Sequence, residues 1–430
     1  IMLLMATLRD YIKATGWQGG KDDPTAKKLD AYFLRNMEEE GDRQLKLVLR
    51  RKDKNTLKAI VEGSENPNEL SVHIRDNYEY FYDKISQTDP GLIFKGIGRL
   101  IIVDVTLDKG VDDPQLIFES LNSTGIDLSQ SDLIRNFILM RLPEKEQTYL
   151  YETYWQIIEK MFSGSTTVFD NFLRDYIALK MQPTKQEKAG DIYQSFRRNF
   201  GHLKKITGDI ESLMIELVKY AAYYSAFSFV DSSNDTLALS LKYLRRLVDA
   251  PGILVMKLFE CYSELKSLSK TEFIQGLGII ESFIFRRAIC GLQTRGYWLV
   301  FAKTAYKITN ETPLQDLKVE LARKGDNYRF PSNTEFYDAL YDSNIYRLRI
   351  CKHLLDRLEN FNMKEISDTS QYSIEHILPQ NENLNSSWQE MIGKDWVDVQ
   401  KTWLHRIGNL TLTAYNSVYS DRPFKEKKTI

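Results

Sequence analysis

The sequence has little cysteine: Cys261, Cys290 and Cys351 stand far apart among 430 residues. An odd count without C-x-x-C spacing excludes a disulfide framework and a cysteine zinc site. It leaves buried free thiols in a reducing cytosol. No run approaches the ~20 apolar residues that cross a bilayer. The opening Ile1-Met2-Leu3-Leu4-Met5 is too short for a signal h-region and is followed by no cleavage site. A cytoplasmic protein without a membrane partner is expected. The formal net charge is −1, so there is no whole-chain excess of positive charge, and any DNA contact must come from local patches. A Walker-type glycine-rich loop is missing, and so is any repeat of fixed period.

What is present is a globular composition, 43% hydrophobic and 27% charged, with aromatic anchors at 12%. The length suggests two or three domains. In the first ~140 residues, Gln44 to Arg50 alternates as a half-buried strand does, and Leu100 to Leu107 is a β-branched run suited to a buried strand. Helical stretches lie between them, one at 69–86. After the second strand come a helix that Asp113 can cap, a turn at Gly125, and a helix at 128–142 capped by Ser129 or Ser131. This section reads as α/β. From 143 to 361 the apolar residues recur at i, i+3, i+4 spacing, with breaks at Pro183, Asp231 to Asp235, Pro251-Gly252 and Pro313. That is a helical domain. The polar stretch Asn362 to Ser370 is its exit linker. From 362 to 430 the order is short strand, loop, two tryptophan-bearing helical pieces, strand, helix. The fold class expected is mixed and mainly α.

The ends are unusual. Residues 1–13 read as an amphipathic helix already under way, and Pro423 to Ile430 as a helix that stops soon after it starts. A fragment of a longer protein is expected.

Chemistry concentrates in the last section. Glu375 and His376 sit side by side at a strand end, and adjacent strand residues point to opposite faces. Phosphodiester hydrolysis needs a base to deprotonate water and a metal to neutralise developing charge. Imidazole suits the first role near neutral pH. A carboxylate and an amide oxygen suit Mg²⁺, and Asn409 and Asn416 supply amides. Asn409, beside a glycine, either serves the site or shapes a turn. His405 either contacts phosphate or is a solvated surface histidine. Arg422, Lys425, Lys427 and Lys428 make a basic tip, for phosphate or for solubility. In the middle, Arg286 and Arg287 lie within an apolar helix. They must find acids, backbone or phosphate, and nearby acids are the expected partners.

Glu375-His376-Ile-Leu-Pro379, Arg406-Ile-Gly-Asn409-Leu-Thr-Leu-Thr, Asn416 and Pro423-Phe-Lys-Glu-Lys together resemble the C-terminal HNH domain of GmrSD-type, Type IV restriction endonucleases. The resemblance implies a ββα-metal fold that cuts modified DNA in phage defence. His376 would be the general base and Asn409 would orient the second strand. Glu375, where many HNH proteins have Asp, and Asn416 would hold Mg²⁺ or Mn²⁺. The basic tip would meet DNA. The stretch Phe118 to Asn136 resembles the N-terminal domain of the same family, which is similar to the ParB/sulfiredoxin fold and hydrolyses nucleoside triphosphates. Asn122, Arg135 and Asn136 would lie near its NTP pocket, although Arg135 and Asn136 also fit an ordinary helix. The family's Asp-Gly-Gln-Gln-Arg signature is absent, and Ile1 to Asp10 resembles the helix after it. NTP is therefore expected to serve the parent protein and not this fragment. A homo-oligomer is compatible with the sequence. Two other functions remain: a DNA- or nucleotide-sensing scaffold with a degenerate HNH site, and an RNA-directed nuclease.

Overall fold

The computed structural model describes residues 1–430 except 50, 66, 102–127, 141, 183, 231–234, 364, 416–420 and 430. The expected strand from residue 102 onward, the helix capped by Asp113, Gly125, Asn122 and Asn416 therefore lie outside the described residues. What is described is mainly helical. None of these helices is long and apolar enough to cross a membrane. The three cysteines are free.

The chain forms two compact units, Ile1–Asp108 and Lys109–Ile430. The first is built on the helix Met2–Thr15. Met5, Leu8 and Ile12 recur at helical spacing and are buried with Leu57, Val61 and Ile85. Gly16, at φ 66, ends that helix in the left-handed conformation a side chain disfavours. Arg9 lies on the same face and is 2% exposed. Its guanidinium donates to Asp10, to Asp30 and to the carbonyls of Ile60 and Val61. Those carbonyls close the helix Arg51–Glu62, whose last turn has no intrahelical donors for them. The strand expected over 44–50 is not formed in its described part. Gly41–Gln44 is a 3₁₀ turn, and only one isolated bridge joins Leu45 to Arg35. Leu47 and Val48 are exposed, so the alternation found no partner strand.

The second unit holds one large helical core running from Ile134 to Leu321. The helix Gln130–Leu139 belongs to it: Phe137 meets Phe196 and Phe200 edge-on. The boundary expected at 142 and 143 thus falls inside this core. Ser129 does cap that helix, accepting from the Asp132 amide. The helices Tyr297–Lys307 and Pro313–Ala322 are additional to those read from the sequence, and Pro313 begins a helix where a break was expected. Arg287 is fully buried, yet its donors go to the Tyr297 hydroxyl and the carbonyls of Gln293, Asn327 and Arg329. Arg286 reaches Asn333 and lies over the Phe336 ring. The expected acid partners are replaced by backbone and amide oxygens, because loops 293 and 327–329 bring their carbonyls to this helix.

The expected linker 362–370 is tied down instead of loose. Asn360 accepts from the Ser367 amide at 2.7 Å, and Thr369 bonds the buried Asp356. Two short strands follow, β1 (Ser373–His376) and β2 (Leu410–Thr413), paired antiparallel with Glu375 opposite Thr411 and His376 opposite Leu410. Leu410 is buried in the same cluster as Leu354 and Leu355 of the helix Cys351–Glu359. The hairpin is thereby fixed on the helical body.

Candidate active site at the strand pair

The two faces of β1 carry different chemistry. Ile374 and His376 face the helical body, and Glu375 faces the last helix, Phe424–Lys427, as strand alternation requires. His376 is 3% exposed. Its Nδ1 lies 2.9 Å from the Gln380 side-chain nitrogen, and its Nε2 lies 3.2 Å from Nδ1 of His405. An amide nitrogen can only donate, so Nδ1 of His376 accepts and Nε2 carries the proton. That N–H donates to His405, whose own proton is then on Nε2. Tyr346 covers both rings, edge-on to His376 at 4.4 Å and stacked on His405 at 5.2 Å. Burial, then the neighbouring His405 and Lys427, lower the His376 pKa to about 4. The imidazole is neutral at pH 7, the form able to take a proton. His405 is lowered too, by burial and then by Arg347.

On the other face, the Lys427 ammonium donates to Glu375 Oε1 at 2.6 Å and to the His376 carbonyl at 3.0 Å. Both side chains of the pair are under 10% exposed. Lys427 therefore docks the last helix on β1 and balances the Glu375 charge. Of the basic tip, Arg422, Lys425 and Lys428 remain exposed.

Asn409 anchors the strand ends. Its Oδ1 accepts from the Leu378 amide at 2.6 Å, and its Nδ2 donates to the carbonyls of Leu378 and Leu404. A side-chain amide suits this place because it supplies donor and acceptor together to backbone running past on both sides. Gln400 likewise donates to the carbonyls of Pro379 and Asn381, fixing the loop that carries Gln380. Trp388 is buried beside Leu378 and Leu384, and its indole N–H donates to the Arg422 carbonyl.

Of the residues expected near an NTP, Asn122 lies outside the described residues, and Arg135 and Asn136 lie on the helix Gln130–Leu139. Arg135 is paired with Asp132 and Glu159, each at 2.9 Å, and its Nε lies 3.4 Å from Asn136. A nearby cavity of about 450 Å³ is lined by Ser129, Ser131, Asp132, Glu159 and Ser165 among others, with neither Arg135 nor Asn136 in its wall. Sequence reading missed Gln380, Tyr346 and the pairing of His405. The signal available was slight: His405 was notable for its neighbour Arg406, and Gln380 for following Pro379.

The second unit presents a histidine at the end of a two-stranded ribbon, with a short helix on its other face. Comparison with known families gives two matches. Residues 4–139 match the GmrSD restriction endonuclease N-terminal domain, and residues 330–430 match the C-terminal domain of the GmrSD restriction endonucleases. Together these cover more than half of the chain. The chain belongs to the GmrSD restriction endonuclease family. A search of curated proteins finds no match.

Proposed function

We propose that the protein is a DNA endonuclease of a modification-dependent restriction system, in which the strand-end histidine pair around His376 activates water against a phosphodiester. The observation that carries this reading is the neutral, fixed imidazole of His376 at the end of β1, inside a segment matched to the restriction endonuclease C-terminal domain. A general base must be unprotonated at the working pH, and it must be held in one orientation. Gln380, His405 and Tyr346 supply the orientation. Exposed Arg422, Lys425 and Lys428 lie on the same short segment as Lys427 and offer phosphate contacts.

The resemblance also implies Mg²⁺ or Mn²⁺. Among the described residues, no group of three or more His, Cys, Asp or Glu side chains is placed to hold a metal ion. Glu375 already has its charge matched by Lys427, and Asn416 lies outside the described residues. The described residues as placed do not fit a metal. The same pairing favours a second reading, a DNA-sensing protein whose HNH-like site is degenerate. Calorimetry with Mn²⁺ separates the two, since only a working metal site that displaces Lys427 would take up the ion. NTP use by the N-terminal part rests on resemblance alone.

The direct test is incubation of the chain with two duplexes of one sequence, one unmodified and one carrying modified cytosines of the kind found in phage DNA. The reading expects cutting of the modified duplex only. Intact DNA in both tubes contradicts it.

A further inference from the structure

Next to the histidine pair lies a surface of open rings and arginines. Tyr346, whose ring covers both imidazoles, stands in the 3₁₀ turn Ile345–Arg347, and its amide donates to the His405 carbonyl at 3.2 Å. The turn is thereby tied to the site. Arg347 and Arg349 are exposed, and neither side chain has a hydrogen bond or ion pair among the described residues. Burial and then the Arg347 charge lower the His405 pKa, so this guanidinium lies close to the pair. Arg406, next to His405 in the chain, lies over two aromatic rings. Its guanidinium carbon is 4.7 Å from the centre of the Trp403 ring and 5.5 Å from that of Tyr341. These rings meet edge-on at 5.7 Å, and Tyr341 and Trp403 remain 52% and 38% exposed. Asp342 pairs with Arg406 at 3.4 Å but is itself exposed, and a solvated pair of that kind gives way to phosphate at little cost. Arginines without committed carboxylates suit a phosphate backbone, and open aromatic rings suit base faces. In a duplex those faces are stacked on one another, so the rings are useful only where bases are unpaired.

We propose that the surface of Tyr341, Trp403, Arg406, Arg347 and Arg349 receives an unpaired stretch of the DNA strand beside the phosphodiester that is cut. Bases stack on the two rings, and phosphates meet the arginines. The inference rests on the nuclease reading for its substrate and leaves His376 as the base. It adds a requirement to that reading: the strand is opened next to the histidine pair, so local melting is part of recognition. Charge favours a polyanion as the occupant, and Tyr346 makes the surface continuous with the site.

Binding of labelled DNA, read by fluorescence anisotropy, tests this separately from cutting. Two duplexes of one sequence are compared, one fully paired and one with a short central bubble of mismatched pairs. The wild-type chain should bind the bubble at least about tenfold more tightly, the worth of stacking one base. Tyr341→Ala with Trp403→Ala should remove that preference and leave affinity for the paired duplex nearly unchanged. Tyr341→Phe with Trp403→Phe keeps the rings and should keep the preference. Arg347→Ala with Arg349→Ala should weaken binding of both duplexes and lower the log–log salt slope by roughly two. Equal wild-type affinity for the two duplexes, or binding of neither, overturns the proposal. So does a preference that survives loss of both rings, and an unchanged salt slope overturns the arginines' part in it. Cutting of a modified duplex by a chain without bubble preference removes this inference and leaves the nuclease reading intact. A ring-dependent preference in a chain that cuts neither modified nor unmodified DNA supports the surface and removes the nuclease reading.

Discussion

Two buried cations, Arg287 in the helical core and Lys427 beneath the strand pair, are held in opposite ways. Arg287 has neutral partners only: three backbone carbonyls and a tyrosine hydroxyl. Its planar fork gathers loops 293 and 327–329 onto the helix Lys270–Ile289, and its value lies in satisfying carbonyls that would otherwise be buried unpaired. Lys427 has a carboxylate, and its value lies in charge balance. The first cation organises backbone inside a core already rich in apolar contacts. The second joins two small elements that share little apolar surface, since among the described residues the cluster beside them has only Leu378, Leu384 and Trp388 buried. The helical body is therefore expected to unfold as one unit, and the last helix to detach at lower cost.

Breaking the first cation should give the largest effect. Arg287→Met orphans several buried carbonyls at once, and a loss of about 4 kcal/mol in global stability is expected by thermal unfolding. Arg287→Lys should rescue little, because an ammonium lacks the fork. A loss under about 1 kcal/mol would remove the distinction between the two sites. Lys427→Met comes next, at about 3 kcal/mol, because Glu375 is left buried without a counter-charge. This loss should be local, visible as faster hydrogen exchange in 421–429 and β1 while the helical body keeps its protection. The double variant Glu375→Gln with Lys427→Met should recover most of it, and failure to recover would mean that charge balance is not what Lys427 supplies. Asn409→Ala should cost about 2 kcal/mol by removing contacts to two backbone segments, read as a lower urea midpoint, with Asn409→Asp recovering only the acceptor half.

The smallest effect expected is in pH. His376 is held near 4 in the fold, below the ~6.5 of an unfolded histidine. The fold prefers the neutral ring, so this contribution is complete above about pH 6.5 and is lost as pH falls toward 4. A loss of about 1–2 kcal/mol is expected over that window after allowing for its neighbours, and His376→Gln should flatten the curve. A wild-type stability that does not change between pH 6.5 and 4.5 would contradict the assigned environment.

Much of the helical body was legible, because apolar spacing reports burial on one face directly. The expected segment at 168–181 is the helix Thr166–Lys180, and 236–247 is Thr236–Leu247. The helix Tyr297–Lys307 was not read, though its face is clear in retrospect from Tyr297, Phe301 and Ala305. In the site, the strand bearing Glu375 and His376 and the strand after Asn409 could be read from alternation and glycine. Partnerships could not. Lys427 meets Glu375 across 52 residues, and His405 meets His376 across 29. No local spacing encodes such contacts. A lysine in a basic run also looks solvated until the strand it packs against is in place, which is why Lys427 read as part of a DNA-facing tip.

The central claim is that the strand-end histidine pair belongs to a DNA-cutting site. It is tested most directly by cleavage of modified duplex DNA with wild-type and His376→Ala chains of matched thermal stability. The account predicts cutting by the wild type and a loss of at least about 100-fold in the variant. Equal cutting by the two would contradict it.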